Sequence, residues 1–374
     1  MSAPPITVPQ ANPGAAYRAL QAEIDAAVAR VLQSGWYILG DEARAFEAEF
    51  AAWLGTAAAV GCGNGTDALA LALRGLGVGP GSSVVTVSHT AVATVAAIEM
   101  TGATPVLIDI EPDFYTMDPD ELAAVLAQPP PGLPAVRAVI AVHLYGQPAA
   151  LDRIDAACRR HGIALIEDCA QAHGATYAGR KVGTFSAVSA FSFYPTKNLG
   201  ALGDAGIVAV SDATLAPEIA ALRQYGWRTH YVSDTVGVNS RLDELQAAIL
   251  RVKLRHLEKE NTQRRALAAV YEDRLRRTKL RLPVVAEGFL HVYHQYVIRS
   301  EKREELRVVL DKHGVGAQIH YPLPLHRQPA YRHLKAMCPV TDQIAGEILS
   351  LPMHAQLSRR EVDKVCELIV AHSS

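Results

Sequence analysis

Between residues 57 and 210 the sequence alternates two periodicities, and this alternation limits the fold more than any other feature. Short apolar runs stand at 57–60, 83–87, 105–110, 137–143, 163–168, 188–193 and 206–210. Stretches of helical spacing lie between them, at 67–76, 92–101, 119–127 and 151–161. Parallel strands need crossover connections, and helices supply them. The rhythm therefore predicts an α/β fold with a mainly parallel seven-stranded sheet, covered by helices on both faces. Runs this apolar suit strands buried on both sides. Two amphipathic helices precede the sheet. One spans 15–34, with Leu20, Ile24, Val28, Val31 and Leu32 at helical spacing, and a second carries Phe46, Phe50, Trp53 and Leu54 on one face.

The rhythm changes after about residue 240. A long helical region is expected over 242–275, then a strand-like segment at 291–298, a helix at 303–312, a strand-like segment at 315–320 and a last helix at 359–371. This reads as a smaller α+β unit. The division is placed at 1–245 for the large domain and 246–374 for the small one.

Of the 374 residues, 49% are hydrophobic, enough to bury a large core. The formal net charge of −2 comes with no basic stripe, which argues against polynucleotide binding. No apolar stretch approaches the ~20 residues of a membrane span. The N-terminus lacks the pattern of a signal peptide. The five cysteines, Cys62, Cys158, Cys169, Cys338 and Cys366, are scattered and odd in number, which fits reduced thiols in the cytoplasm. His291 and His294 form no metal-binding pattern, and no metal is expected.

Three groups carry chemistry. The segment Gly61-Cys62-Gly63-Asn64-Gly65-Thr66-Asp67 follows a short strand and opens a helix. Glycines let backbone approach a phosphate, and a helix N-terminus offers free N–H groups. It is not a dinucleotide fingerprint, because Thr66 stands at the third glycine position and no acid follows at the ~20-residue spacing that the fingerprint needs. Asp168 ends a strand, where ligands of open α/β sheets sit. Lys197 follows a later strand in a loop with Asn198 and Gly200, and Ser192 lies just before it. Each alone has a bland reading as a turn, a cap or a solvated side chain. Together, in this order, they are what pyridoxal phosphate needs: a lysine for its aldehyde, an acid for its ring nitrogen and a cradle for its phosphate. His173 reads as a packing histidine.

The chain resembles the DegT/DnrJ/EryC1/StrS sugar aminotransferases, the nucleotide-sugar branch of fold-type I pyridoxal-phosphate enzymes. The likeness runs through Ser34 to Gly40, Asn64 to Leu69, Val142 to Gly146, Glu167 to Gly174, Phe191 to Gly203 and Gly237 to Ala248. It implies that Lys197 is the Schiff-base lysine, Asp168 the ring-nitrogen partner and Gln171 a ligand of the ring oxygen. It implies that Thr66 and Asp67 hold the phosphate by backbone N–H groups, with the Ser192 hydroxyl beside them and Gly65 in the same cofactor-binding turn. Asn239 matches a residue lent to the phosphate across a homodimer interface. Tyr37, His320 and Tyr321 match the sugar pocket. Members usually place an aromatic ring over the cofactor face, where this chain has Ala91, with His89 the nearest ring able to swing across.

The resemblance implies a nucleotide-linked keto-sugar as acceptor and glutamate as amino donor. The nucleotide is expected to be dTDP, with UDP as the alternative. Segment 319–326 and Tyr225-Gly226-Trp227 look more like members that aminate C-3 than C-4. Sugar dehydratases of this family carry histidine where Lys197 stands, which argues against that chemistry. A non-catalytic regulator would need a DNA-binding module for which the N-terminus has no room. A nicotinamide oxidoreductase is disfavoured by the incomplete glycine pattern.

Overall fold

A computed structural model of the chain describes residues 7–373. Its centre is a seven-stranded sheet. The strands are β1 (Ala58–Cys62), β2 (Ser82–Val87), β3 (Thr104–Ile108), β4 (Ala135–Val142), β5 (Ala164–Asp168), β6 (Val188–Ser192) and β7 (Gly206–Val210). Their spatial order is β1-β7-β6-β5-β4-β2-β3. The run from β3 through β2, β4 and β5 to β6 is parallel throughout. β7 runs antiparallel to both its neighbours, β6 and β1. The predicted strands and their mainly parallel arrangement are thus present.

Helices Gly65–Gly75, Val92–Met100, Pro119–Ala127 and Leu151–Arg160 make the crossovers. Asp118 caps the third by accepting from the N–H groups of Asp120 and Glu121, and proline fills its first position. Asp41–Leu54 buries Phe46 and Phe50. Their rings meet Phe191 and Phe193 edge-on at 5.0 to 5.6 Å, so the strand that leads to Lys197 is anchored in a cluster of four aromatic rings.

Two expected helices are interrupted. The first breaks into Pro13–Ala19 and Gln21–Ser34, because the Leu20 N–H turns back to the Tyr17 carbonyl. The long region near residue 250 divides into Glu244–Leu254 and Leu257–Leu275, with a tight turn from the His256 N–H to the Lys253 carbonyl. The segment 315–320 is not a strand. It makes only single bridges, Val315 to Val8 and Gln318 to Ser350. The small unit's ladder instead pairs Tyr296–Arg299 with Ile348–Leu351.

A second apolar cluster, which includes Tyr271, Tyr296, Leu310, Val362 and Ile369, lies apart from the core around the large sheet. The boundary expected near residue 245 is crossed in both directions. Val8 packs into the second cluster, while Ala248, Ile249 and Val252 pack on Ile24, Ala27 and Val31. Among the described residues no helix is long and apolar enough to cross a membrane.

Glu244 ties the N-terminal helices to this junction. Its buried carboxylate accepts from the N–H groups of Gly40 (2.7 Å), Glu42 (2.9 Å) and Ala43 (2.9 Å). It caps helix Asp41–Leu54 from 200 residues away in sequence. Glu244→Ala strands three donors, two of them buried. We expect it to lower stability by about 2–4 kcal/mol in denaturant unfolding, whereas a loss under half a unit would show that water replaces the carboxylate.

Candidate active site

The carboxyl ends of β4, β5 and β6 and the N-terminus of helix Gly65–Gly75 surround a cavity of about 480 Å³. Its walls include Gly65, Thr66, Asp67, Asp168, Gln171, Ser192 and Lys197. Seven residues expected from sequence to hold a cofactor therefore meet in one place. Asn64, Thr90, Ala91, Ala170, Tyr194 and Asp204 complete much of the wall.

The phosphate end is built by capping. The Asn64 side-chain oxygen accepts from the Asp67 N–H at 2.9 Å, and this fixes the first turn of the helix. The Asp67 N–H, expected to face a phosphate, is thus engaged by its own cap in this structure. Among the described residues, the free N–H groups at this helix end belong to Gly65 and Thr66. Asp67 serves through its carboxylate, which accepts from the Ser240 hydroxyl (2.6 Å) and the Asn64 amide (3.1 Å). Position 65 requires glycine because a Cβ there would lie 2.5 Å from Ser192 Cβ.

β5 ends in two buried acids on opposite faces, as strand alternation dictates. Glu167 points away from the cavity. It accepts from the N–H groups of Gly183, Phe185 and Ser186 and from His143 Nε2 at 3.2 Å. Burial pushes its carboxyl up, but His143 and these N–H groups outweigh burial and hold it below the usual range. With Cys169 these side chains place three possible metal ligands within 4.8 Å of one another. The His143 and Glu167 atoms are already engaged: His143 Nδ1 accepts from the Ala149 N–H, so Nε2 carries the proton given to Glu167.

Asp168 faces the cavity. It accepts from the Ala170 N–H at 3.1 Å and from the Thr94 hydroxyl at 3.1 Å. Burial raises its carboxyl above the usual range, against the pull of the Ala170 N–H and the Lys197 charge. Lys197 is pushed the other way. Burial lowers its amine to about 8, although the Asp168 charge opposes the shift. Each charge is thus destabilised by burial and stabilised by the other.

The loop that delivers Lys197 is clasped from behind. Asn198 donates to Asn261 Oδ1 (2.8 Å) and to the Val292 carbonyl (3.0 Å). Lys253 Nζ donates to the Gly200 carbonyl. A Cβ at Gly200 would meet the Pro195 carbonyl oxygen at 2.5 Å, so the turn admits only glycine.

Gln171 bridges the large and small units. Its Oε1 accepts from the Tyr145 N–H at 2.7 Å, and its Nε2 donates to the Tyr321 hydroxyl at 3.1 Å. The Tyr145 hydroxyl donates to the His320 carbonyl. Burial and the Asp168 charge raise the Tyr321 phenol to about 12, and burial with the Lys197 charge lowers His320 to about 4. His320 and Tyr321 therefore stand neutral beside the site without lining its cavity. Tyr37 and Asn239 are exposed and do not line it either.

His89 does not cover the cavity beside Ala91. It is buried, with Nε2 2.8 Å from the Tyr145 hydroxyl, and it packs against the Tyr145 and Tyr115 rings. His173 packs between Phe191 and Phe193. Sequence reasoning overlooked Ser240 and the pair Thr90 and Thr94. The only signal for the pair was two hydroxyls four residues apart at a helix start.

A lysine and a carboxylate of opposite charge, beside a helix N-terminus at the carboxyl edge of a parallel sheet, define a pyridoxal-phosphate enzyme. The residues fit that group. Its phosphate would be held by the N–H groups of Gly65 and Thr66, its ring nitrogen by the acid Asp168, and its aldehyde by the Lys197 amine of lowered basicity. A profile of the DegT/DnrJ/EryC1/StrS aminotransferase family matches residues 18–370. The dTDP-3-amino-3,4,6-trideoxy-alpha-D-glucose transaminase of Streptomyces venezuelae is 46% identical over 366 residues, covering 97% of this chain and 95% of that protein. The UDP-N-acetyl-3-dehydro-alpha-D-glucosamine 3-aminotransferase of Acidithiobacillus ferrooxidans is 40% identical, over 97% of each chain. The crystal structure of S. venezuelae DesV in complex with a ketimine intermediate superposes with a TM-score of 0.94 at 46% identity, over 99% of each chain. The chain belongs to the DegT/DnrJ/EryC1/StrS aminotransferase family. It is a pyridoxal-phosphate-dependent sugar aminotransferase.

Only the neutral amine attacks an aldehyde. The rate at which apoprotein takes up pyridoxal phosphate should therefore rise with pH through a midpoint at about 8, set by Lys197. A midpoint near the ordinary lysine value of about 10.4 would contradict the desolvated placement of this amine.

Proposed function

We propose that the protein transfers the amino group of glutamate to the C-3 ketone of a dTDP-linked deoxysugar. The observation that carries the transamination is the opposition of Lys197 and Asp168 in one cavity. The nucleotide and the carbon rest on likeness. The S. venezuelae relative is named for a dTDP-linked 3-amino sugar, and the A. ferrooxidans relative for a 3-amino transfer on a UDP-linked sugar. The latter supports a second reading, with UDP in place of dTDP.

Pyridoxal phosphate supplies an aldehyde that exchanges amines and a protonated ring that accepts an electron pair. Lys197 Nζ takes the proton from the α-carbon of the donor, and later returns one to the sugar carbon that receives nitrogen. Its lowered basicity, near 8, lets it act in both directions at neutral pH. Asp168 keeps its charge against the ring nitrogen. The N–H groups of Gly65 and Thr66, with the Ser192 hydroxyl, retain the phosphate while the lysine is free. Gln171 keeps one amide proton beyond its bond to Tyr321, and this suits the ring oxygen. Tyr37, His320 and Tyr321 are assigned to the sugar side, His320 and Tyr321 being held at the cavity by Tyr145 and Gln171.

The active unit is a homodimer with shared sites. Asn239 lies outside its own chain's cavity, so a role at a phosphate places it in the partner's site. The exposed surface carries Trp36 (63%), Tyr194 (53%), Tyr231 (77%) and Val236 (84%), large apolar groups that a second copy would cover. All five cysteines are buried and unpaired, which fits a cytoplasmic protein.

Incubation with glutamate and a panel of dTDP- and UDP-linked 3-keto and 4-keto sugars should yield a dTDP-3-amino sugar by mass. Turnover of UDP-linked acceptors alone would overturn the nucleotide assignment, and amination only at C-4 would overturn the carbon. Lys197→Ala and Asn239→Ala should each be impaired alone. Mixed after subunit exchange, they should regain activity, because one site of the hybrid is intact. No recovery in a mixture shown to contain hybrids would exclude a shared site.

A further inference from the structure

Asp168 is asked to do something its surroundings oppose. It must stay ionised to hold a ring proton, yet it is 5% exposed and burial favours its neutral form. Two hydrogen bonds counter this among the described residues: the Ala170 N–H on Oδ1 and the Thr94 hydroxyl on Oδ2, both at 3.1 Å. The first is backbone and comes with the strand end. The second is a side chain from a different element, the first turn of helix Val92–Met100.

Thr94 does not act alone. Its Oγ1 lies 3.0 Å from Thr90 Oγ1. A hydroxyl has one proton, and the carboxylate has none to give. Thr94 therefore donates to Asp168, and Thr90 donates to Thr94. The chain of donors runs one way, from Thr90 through Thr94 to Asp168, and each bond polarises the next. Thr94 is 1% exposed and Thr90 3%, so water does not replace either bond. Thr90, Ala91 and Asp168 all line the cavity.

We propose that Thr94, oriented by Thr90, is a positioning residue that holds Asp168 ionised and aimed at the ring nitrogen of the cofactor. The inference rests on the pyridoxal-phosphate reading of the site and adds a residue pair to it. The charged and titratable groups that also face Asp168 are Lys197, His143, Tyr321 and the Cys169 thiol. None supplies a hydrogen bond to its carboxylate oxygens. The lysine attracts the carboxylate, but its amine must also bond to the cofactor and move protons. The hydroxyl pair supplies a fixed dipole that does not change during turnover.

The test compares wild type, Thr94→Val, Thr94→Ser and Thr90→Val. Apoprotein is titrated with pyridoxal phosphate for affinity, and protonation of the ring nitrogen is followed against pH by nitrogen-15 NMR of labelled cofactor. Thr94→Val should bind roughly tenfold to a hundredfold more weakly, as loss of a hydrogen bond to a charged group implies. Its ring proton should leave at lower pH than in wild type. Thr94→Ser should restore both, and Thr90→Val should shift both in the same direction by less. If Thr94→Val does not fold, Thr90→Val and Thr94→Ser carry the same comparison. Wild-type affinity and wild-type ring protonation in Thr90→Val and in any folded Thr94→Val would overturn the proposal. Borohydride reduction of each sample separates the two levels. A pyridoxyl adduct on Lys197 with unchanged titrations defeats only the threonine pair, whereas no adduct in wild type defeats the reading beneath it.

Discussion

An ammonium and a carboxylate share one cavity at the carboxyl edge of the sheet, and each charge is opposed by burial and favoured by the other. Burial pushes Lys197 down and Asp168 up, while their mutual attraction works against both shifts. The rest of the site supports this opposition. The aromatic anchor under β6 and the clasp on Gly200 aim the lysine. The strand end, Ala170 and Thr94 aim the carboxylate. Low dielectric makes the pair strong, and it also makes the lysine a usable base near neutral pH.

Desolvation alone does not identify the working lysine. Lys253 is 5% exposed, and burial lowers it to about 8 as well. Its amine is spent on the Gly200 carbonyl, behind the loop, and it does not line the 480 Å³ cavity. What separates Lys197 is its place opposite an acid, beside free N–H groups. Position relative to partners decides the chemistry, and pKa follows from position.

The parts legible in the sequence were those set by local periodicity and by strand ends. Short continuous apolar runs marked the sheet, and Asp168 at the end of one and Lys197 in the loop after another fell where ligands of such sheets bind. What escaped was set by contacts between distant segments. Glu244 caps a helix some 200 residues upstream, and no window shows that. Asp67 seemed to offer its N–H to a phosphate, but the capping role of Asn64 one turn earlier takes it. Segment 315–320 has a strand's composition, yet its neighbours are single residues of two other segments. His89 lies two residues from Ala91 and seemed able to cover the ring, but the Tyr145 hydroxyl holds it elsewhere.

The most direct test is to load the protein with pyridoxal phosphate, reduce it with borohydride and map the added mass by peptide sequencing. The account predicts a single pyridoxyl group on the peptide bearing Lys197, and none on the peptides bearing Lys253 or Lys181, the latter another lysine whose amine burial lowers. An adduct on one of those lysines, or no stable adduct on a folded and loaded protein, would contradict it.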